Sequence, residues 1–230
     1  MKRIIRIFVV VAILIGGSGC MLFGKESRTE KMMKHLNAKY DDAFSDPSPY
    51  GGGMGPSNTT EIHVKSKKYP DARVWASYTV NEDESVTYSD NYVTVKYEAE
   101  TRAALQKVME EVIGDDGEVL TFYSLALRGT ENSFDDNTTL SEFMKSSDAD
   151  IGFTSVVRKG YKLDKKTFEK RLQKTFSDAN ITVSSGKIYF AETDEQFEDI
   201  NKVPSRVASK LQRLLFSTYE NELYSAKWRI

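Results

Sequence analysis

The sequence predicts an α+β fold in which helices pack on one face of an antiparallel sheet. Two observations favour this class: helical stripes and alternating strand patterns are intermixed along the chain, and they do not repeat as regular strand–helix–strand units. The 230 residues are 40% hydrophobic and 29% charged, which is typical of a globular chain that buries a core. We expect two small subdomains, at residues 27–128 and 138–230.

The first half begins with a predicted helix. Ser27 and Glu30 have the spacing of a capping box, in which each side chain bonds the other residue's backbone N–H. Apolar side chains then recur at helical spacing, at Met33, Leu36, Tyr40 and Phe44. The segment 46–60 holds three of the five prolines and a run of three glycines, which predicts a flexible loop or linker.

The rest of the first half predicts a hairpin, a helix and a buried strand. Residues 73–80 alternate, with Val74, Ala76, Tyr78 and Val80 on one face. A polar turn at 81–84 and a second strand at 85–95 complete the hairpin. Residues 98–113 form an amphipathic pattern that Gly114 ends, and the apolar run 119–127 predicts a central strand.

The second half repeats these patterns more loosely. Capping boxes at 139–142 and 193–196 predict two helix starts, and 151–157 predicts a strand between them. Three further expectations are a helix capped by Asp164 with Leu163 stapled onto Phe168, a hairpin of 181–183 and 187–190, and a long last helix opened by Pro204.

The N-terminus has the order of zones found in a secretory signal peptide. A positive start, carried by Lys2, Arg3 and Arg6, precedes an apolar run at 7–15, small residues at 16–19 and then Cys20. The apolar run has nine residues, far below the roughly 20 that a membrane-spanning helix needs. An export segment is therefore predicted.

This segment resembles a bacterial lipoprotein signal peptide. Ser18, Gly19 and Cys20 match that pattern, whereas Gly17 stands where a large aliphatic residue is usual. The resemblance implies that 1–19 is removed, that the Cys20 thiol carries a lipid and that 20–26 is a tether on the outer face of the cell membrane. An uncleaved N-terminal anchor and ordinary secretion are the alternatives.

Charge and cysteine content exclude several function classes. The net charge is −2, and loss of the three leader cations would make it −5, so there is no electrostatic reason to bind nucleic acid. Cys20 is the single cysteine, so no disulfide forms within the chain and the folded body has no thiol chemistry.

A second, weaker resemblance covers about the first third of the mature chain. Lys39-Tyr40, Phe44 and Asp90-Asn91-Tyr92 are similar to a pattern in uncharacterised envelope lipoproteins of low-GC Gram-positive bacteria, with Asp41 in place of the usual Gly. The resemblance implies a cell-surface location and no known activity.

Candidate chemical groups are few, and each has an ordinary structural explanation. A metal site or a Ser-His-Asp triad would have to use His35 or His63. The loop 135–137 with Glu142 is acidic but lacks EF-hand spacing. Aromatic residues that would line a pocket or be part of the core are Tyr88, Tyr92, Tyr97, Phe122, Tyr123 and, on the opposite strand face, Trp75.

We therefore expect no catalytic residue, no metal ligand and no cofactor. The leading hypothesis is a non-enzymatic lipoprotein, anchored to the membrane through a lipid on Cys20, that binds an envelope protein or a small ligand. One alternative is a solute-binding lipoprotein that serves a transporter. The other is an envelope hydrolase that uses two of the 34 acidic residues as a carboxylate pair.

Overall fold

The computed structural model describes residues 26–50, 58–124, 133–158, 160, 165–191, 193–202 and 224–228. The helices are α1 (Arg28–Lys39), α2 (Tyr92–Lys96), α3 (Glu98–Ile113), α4 (Leu140–Lys145), α5 (Lys165–Ala179) and α6 (Asp194–Asn201). The strands are β1 (Phe44–Pro49), β2 (Thr59–Ser66), β3 (Arg73–Val80), β4 (Val86–Asp90), β5 (Val119–Ser124), β6 (Gly152–Val157), β7 (Ser185–Phe190) and β8 (Tyr224–Trp228). The predicted α+β class is confirmed.

The first sheet is antiparallel, with strand order β1-β2-β3-β4. The predicted strand 73–80 is confirmed as β3, and Val74, Ala76 and Tyr78 are buried on its inner face. Helix α1 starts at the predicted capping box of Ser27 and Glu30 and buries Met32 and Leu36. This half of the molecule thus places one amphipathic helix against an antiparallel sheet.

Two expectations for α1 and the segment after it are wrong. The helical stripe stops at Lys39, because Tyr40 is extended and Asn37 Oδ1 accepts a hydrogen bond from the Phe44 backbone N–H. Phe44 is buried, but it belongs to β1. Residues 46–49, predicted to be loop, continue β1 as an edge strand with a register shift between Ser45 and Ser48. An edge strand with a bulge tolerates proline because no partner needs the missing N–H.

The predicted strand 85–95 is wrong beyond Asp90. Strand β4 ends there and α2 follows, although Val93, Thr94 and Val95 have high strand propensity. The Asp90 side chain accepts a hydrogen bond from the Tyr92 backbone N–H at 3.0 Å, which turns the chain into a helix. This local hydrogen bond outweighs the propensity of the three residues.

The second sheet has strand order β5-β6-β7-β8 and contains one parallel pair. Strands β6 and β7 are parallel, with α5 between them in the sequence, whereas the β5–β6 and β7–β8 pairs are antiparallel. The predicted hairpin of 181–183 and 187–190 is therefore wrong, since Ser184 bonds back to Ile151 and β7 pairs with β6. Strand β5, predicted to be central, ends the order of described strands.

The predicted helix starts agree with the structure better than the predicted strand pairing does. The capping boxes of Thr139 with Glu142 and of Thr193 with Gln196 open α4 and α6 as predicted. Helix α3 spans the predicted residues and ends at Gly114, whose φ of 67° suits glycine. The predicted cap at Asp164, its Leu163 staple and the Pro204 helix lie outside the described residues.

Apolar side chains pack on both faces of the second sheet. The main core joins α1, the first sheet, α3, α5 and one face of the second sheet. A smaller cluster on the other face contains Phe122, Val156 and Tyr189 from the sheet with Phe197 and Ile200 from α6. The two-subdomain division stays a prediction. Within the described ranges, no helix is long and apolar enough to span a membrane.

Gly186 gives a test of the packing between β6 and β7. It lies opposite Phe153, and a Cβ at this position would lie 2.5 Å from the ring carbon Cε1 of Phe153. Because Phe153 is buried and stacked on Phe176, the ring has little room to move. We expect Gly186→Ala to lower the free energy of unfolding by about 1–3 kcal/mol in urea titrations.

A double variant provides the control for this prediction. Phe153→Leu removes the ring, so Gly186→Ala should be less destabilising in that background than in the native chain. Equal effects in both backgrounds would contradict the proposed steric conflict.

Candidate functional site

The most concentrated set of buried polar contacts surrounds Asp90, at the end of β4. Its Oδ1 accepts from the Tyr40 hydroxyl at 2.7 Å and the Tyr92 backbone N–H at 3.0 Å, and its Oδ2 accepts from Lys39 Nζ at 3.0 Å. The Asp90 side chain is 3% exposed and that of Lys39 is 15% exposed. We call Lys39, Tyr40, Asp90 and Tyr92 the Asp90 cluster.

A second carboxylate extends this cluster toward β2. Asp42 accepts hydrogen bonds from the Ser66 hydroxyl and from the backbone N–H groups of Ala43 and Lys68. Burial raises the pKa of Asp42, but these hydrogen bonds outweigh burial, so its pKa is lowered overall. Asp42 is therefore held as a carboxylate near neutral pH.

The two tyrosines of the cluster are held protonated. Burial, followed by the nearby Asp90 carboxylate, raises the pKa of Tyr40 far above its ordinary value. Burial and then Asp42 do the same for Tyr92. Their rings also contact each other, with centroids 4.2 Å apart. Both hydroxyls thus stay hydrogen-bond donors at any physiological pH.

Chemically, the Asp90 cluster is a set of satisfied groups that joins elements together. Asp90 already accepts three hydrogen bonds, out of about four that a carboxylate accommodates. One acceptor position remains, on a side chain that is 3% exposed. The residues that carry the weaker sequence resemblance thus meet in space, and they connect the end of α1 to the β4–α2 turn.

A cleft of about 350 Å³ lies beside this cluster, between the turn before β3 and the start of α3. The ring of Tyr69, which lines it, packs edge-on against Tyr92 at 5.8 Å between centroids. Its walls carry charges of both signs, from Lys68, Lys96 and Arg102 and from Asp71, Glu98 and Glu100. Two of these cations contact neighbouring loops. Lys68 forms an ion pair with Asp41, and Lys96 donates a hydrogen bond to the Asp136 carbonyl.

The two histidines lie in different environments. His35 stacks on Tyr88 with ring centroids 4.2 Å apart, and His63 packs edge-on against Tyr50. His35 Nε2 and His63 Nδ1 are buried without a hydrogen-bond partner in the described part of the chain. No group of three metal-ligating side chains occurs among the described residues.

The acidic loop is an ordinary turn followed by a helix cap. Asp135 Oδ1 accepts from the backbone N–H groups of Asn137 and Thr138, and Glu142 completes the capping box of α4. Asp136 accepts a hydrogen bond from the backbone N–H of Asp41 and pairs with Lys96. The acidic side chains of this loop thus form hydrogen bonds and an ion pair within the protein.

Most of the singled-out aromatic residues belong to the core. Tyr92, Phe122, Tyr123 and Trp75 are buried, whereas Tyr88 and Tyr97 are partly buried and pack against it. Of the two possibilities for Trp75, the structure shows the core position, because that face of β3 is covered. Its indole N–H nevertheless has no hydrogen-bond partner within the described ranges.

Sequence reasoning missed a group of acids around Arg158, after β6. Its guanidinium bonds Glu118 at 2.7 Å, Asp194 at 3.0 Å and also Glu198, and it lies over the Phe197 ring. These contacts join α6 to the end of the second sheet. No motif could have indicated them, since the partners lie 36 and 40 positions away in the chain.

Comparison with known proteins adds no argument about this chain. No protein-family model and no curated protein matches the sequence. A crystal structure of a DUF5037 family protein from Ruminococcus gnavus is similar over 88% of this chain and 92% of that one, with 10% sequence identity and a TM-score of 0.41. A likeness at this level carries no functional argument.

Asp90 gives a direct test of the cluster. Asp90→Asn would leave the largely buried Lys39 ammonium without its countercharge, so we expect the free energy of unfolding to fall by about 3 kcal/mol. The matched control is Asp46→Asn, which breaks the exposed Asp46–Lys65 pair and should cost less than about 0.5 kcal/mol. Equal losses in urea titrations would contradict a structural role for Asp90.

His35 makes stability depend on pH. Burial, followed by Lys39, lowers the pKa of His35 below its unfolded value near 6.5, while Asp90 opposes the shift. The unfolded chain therefore binds more protons, and stability should be lost as the pH falls through about 6.5. Burial lowers the pKa of His63 in the same direction.

Single and double variants separate these contributions. The urea midpoint, followed from about pH 8 to about pH 5, should fall less steeply in His35→Gln and less again when His63→Gln is added. An unchanged slope in both variants would contradict this assignment.

Proposed function

We propose that this chain is an extracytoplasmic lipoprotein, anchored to the cell membrane by lipid on Cys20, that acts as a non-enzymatic binding protein. The observation that carries the proposal is the leader that ends in small residues directly before Cys20. Acyl chains on one cysteine contribute about 0.8 kcal/mol per buried CH₂, and two or more chains give stable anchoring.

The spacing between the lipid and the fold supports a body held close to the membrane. Seven residues, 21–27, separate Cys20 from the start of α1. Fully extended, they reach roughly 25 Å at about 3.5 Å per residue. Any pull on the anchor would therefore act first on α1.

The Asp90 cluster suits that position. Helix α1 is held along its length by Met32 and Leu36 in the core, and Lys39 and Tyr40 at its C-terminal end are held by Asp90. Arg28 adds hydrogen bonds to the Asn58 carbonyl and the Thr60 hydroxyl. A helix fixed at both ends would transmit force from the tether without unfolding first.

The hydrogen-bond partners of the acidic side chains favour a binding role over catalysis. The carboxylates of Asp42 and Asp90 accept hydrogen bonds from the protein itself. Glu118, Asp194 and Glu198 likewise bond Arg158. A hydrolytic pair needs two acids that face a substrate across a groove, and these acids face protein donors.

A solute-binding lipoprotein is the second candidate, and the cleft beside the Asp90 cluster is the observation that favours it. Its volume of about 350 Å³ lies at the low end of the range for ligand sites, about 300–1,000 Å³. Such sites are mostly apolar, whereas this cleft is lined by six charged side chains. This ranks the solute-binding role second.

Replacement of Cys20 tests the anchor. Native chain recovered from the membrane fraction should have an intact mass that lacks residues 1–19 and includes added acyl chains. We expect Cys20→Ala to lose that mass change and to leave the membrane fraction, because no other cysteine can accept the lipid.

The matched control is Gly17→Leu, which restores the large aliphatic residue of the lipoprotein pattern. This variant should be processed at least as completely as the native chain. A Cys20→Ala variant that stays equally membrane-bound would count against lipidation.

A further inference from the structure

One edge of β5 pairs with β6. We call the opposite edge, which faces away from β6, the β5 edge. Arg158 donates its backbone N–H to the Glu118 carbonyl at 2.8 Å, so this is a hydrogen-bonded pair just before the strand. Antiparallel pairs alternate, so the backbone groups of Val119 and Thr121 point away from β6. Among the described strands, none pairs with this edge.

The side chain of Gln106 occupies that edge in the manner of a neighbouring strand. Its Oε1 accepts from the Thr121 backbone N–H at 2.7 Å, and its Nε2 donates to the Val119 carbonyl at 2.8 Å. The single carboxamide thus forms the two hydrogen bonds that a peptide group of a neighbouring strand would form with β5. Nε2 also donates to Glu110 at 2.8 Å, which orients the amide.

A groove of about 640 Å³ lies at the start of this edge. One wall is the outer surface of α3, the floor includes Val119 and Leu120, and Phe197 from α6 lies on the far side. Because α3 packs on one face of the sheet and α6 on the other, the groove crosses the edge itself. The groove reaches the edge of β5 at Val119, and an extended chain laid in it would continue along that edge to reach Thr121.

The groove lining carries more acidic than basic side chains: four acids and one base, Glu110, Glu111, Asp115, Glu118 and Lys107. Glu118 is paired with Arg158, so Glu110, Glu111 and Asp115 supply the excess negative charge. Of the apolar side chains in the lining, Leu120 is partly exposed, whereas Val119 and Phe197 are buried. This combination fits a strand that alternates basic and apolar residues, because successive side chains of a strand point to opposite sides.

We propose that the β5 edge is a docking site for an extended basic segment of a partner protein, which pairs with Val119 and Thr121 after displacing the Gln106 amide. The inference deepens the binding role proposed above by naming the chemistry of the partner. When the partner is absent, the Gln106 side chain forms hydrogen bonds with the backbone of this edge, and it thereby prevents non-specific strand pairing.

The test is peptide binding to the full-length chain in detergent. The probe is a blocked hexapeptide that alternates Lys and Val, followed by fluorescence anisotropy and by the NMR shift of the Thr121 amide. We expect the native chain to bind it and Gln106→Ala to bind about tenfold more tightly, because the competing amide is gone. Gln173→Ala, at an exposed glutamine of α5, should leave binding unchanged.

Two further peptides test charge and backbone pairing. A Glu/Val hexapeptide should bind at least about tenfold more weakly, and a Lys/Val peptide with a central proline should not shift the Thr121 amide. Equal binding of the acidic peptide, or no gain in Gln106→Ala, would overturn the proposal. A Gln106→Ala dimer that forms without peptide would also overturn it, by identifying a second copy as the occupant.

This experiment is independent of the anchor. Peptide binding should be the same in Cys20→Ala, so a chain that is not lipidated but binds the peptide would refute only the anchor. A lipidated chain that fails to bind the peptide would refute only the strand-pairing site.

Discussion

The buried carboxylate of Asp90 is the constraint on which the first half of the molecule depends. A charge taken out of water is stable only while its partners are in place. Asp90 therefore fixes Lys39 and Tyr40 at the end of α1 and the Tyr92 N–H at the start of α2. One side chain thus joins the end of a helix, the end of a strand and the start of another helix.

Local signals in the sequence were sufficient for the helix starts but not for strand pairing. The three capping boxes, at Ser27, Thr139 and Thr193, involve residues three positions apart, so the sequence alone predicts them. The parallel pairing of β6 with β7 depends on residues that α5 separates, and short apolar segments beside a turn also fit a hairpin. The helix at Tyr92–Lys96 was missed because the hydrogen bond that the Tyr92 backbone N–H donates to Asp90 overrides the strand propensity of the segment.

The candidate sites were still harder to predict. The sequence pairs Asp90 with Tyr92, but its contact with Lys39 crosses 51 positions and becomes visible only in the fold. Gln106 lies on an amphipathic helix, where a glutamine has no distinguishing signal, and its role depends on the register of a strand 13 and 15 residues later. The role of a polar residue that bridges two elements depends on the tertiary structure. The roles of helix-capping residues and of apolar helical stripes can be predicted from local sequence.

If Asp90 holds α1 to the sheet, native-state hydrogen exchange in Asp90→Asn should show it most directly. The opening free energy of the α1 amides around Leu36 should fall further than that of the slowest amides in β6, because α1 would detach before the rest unfolds. Loss of protection that is equal in α1 and β6, or unchanged protection in α1, would contradict the central role of this carboxylate.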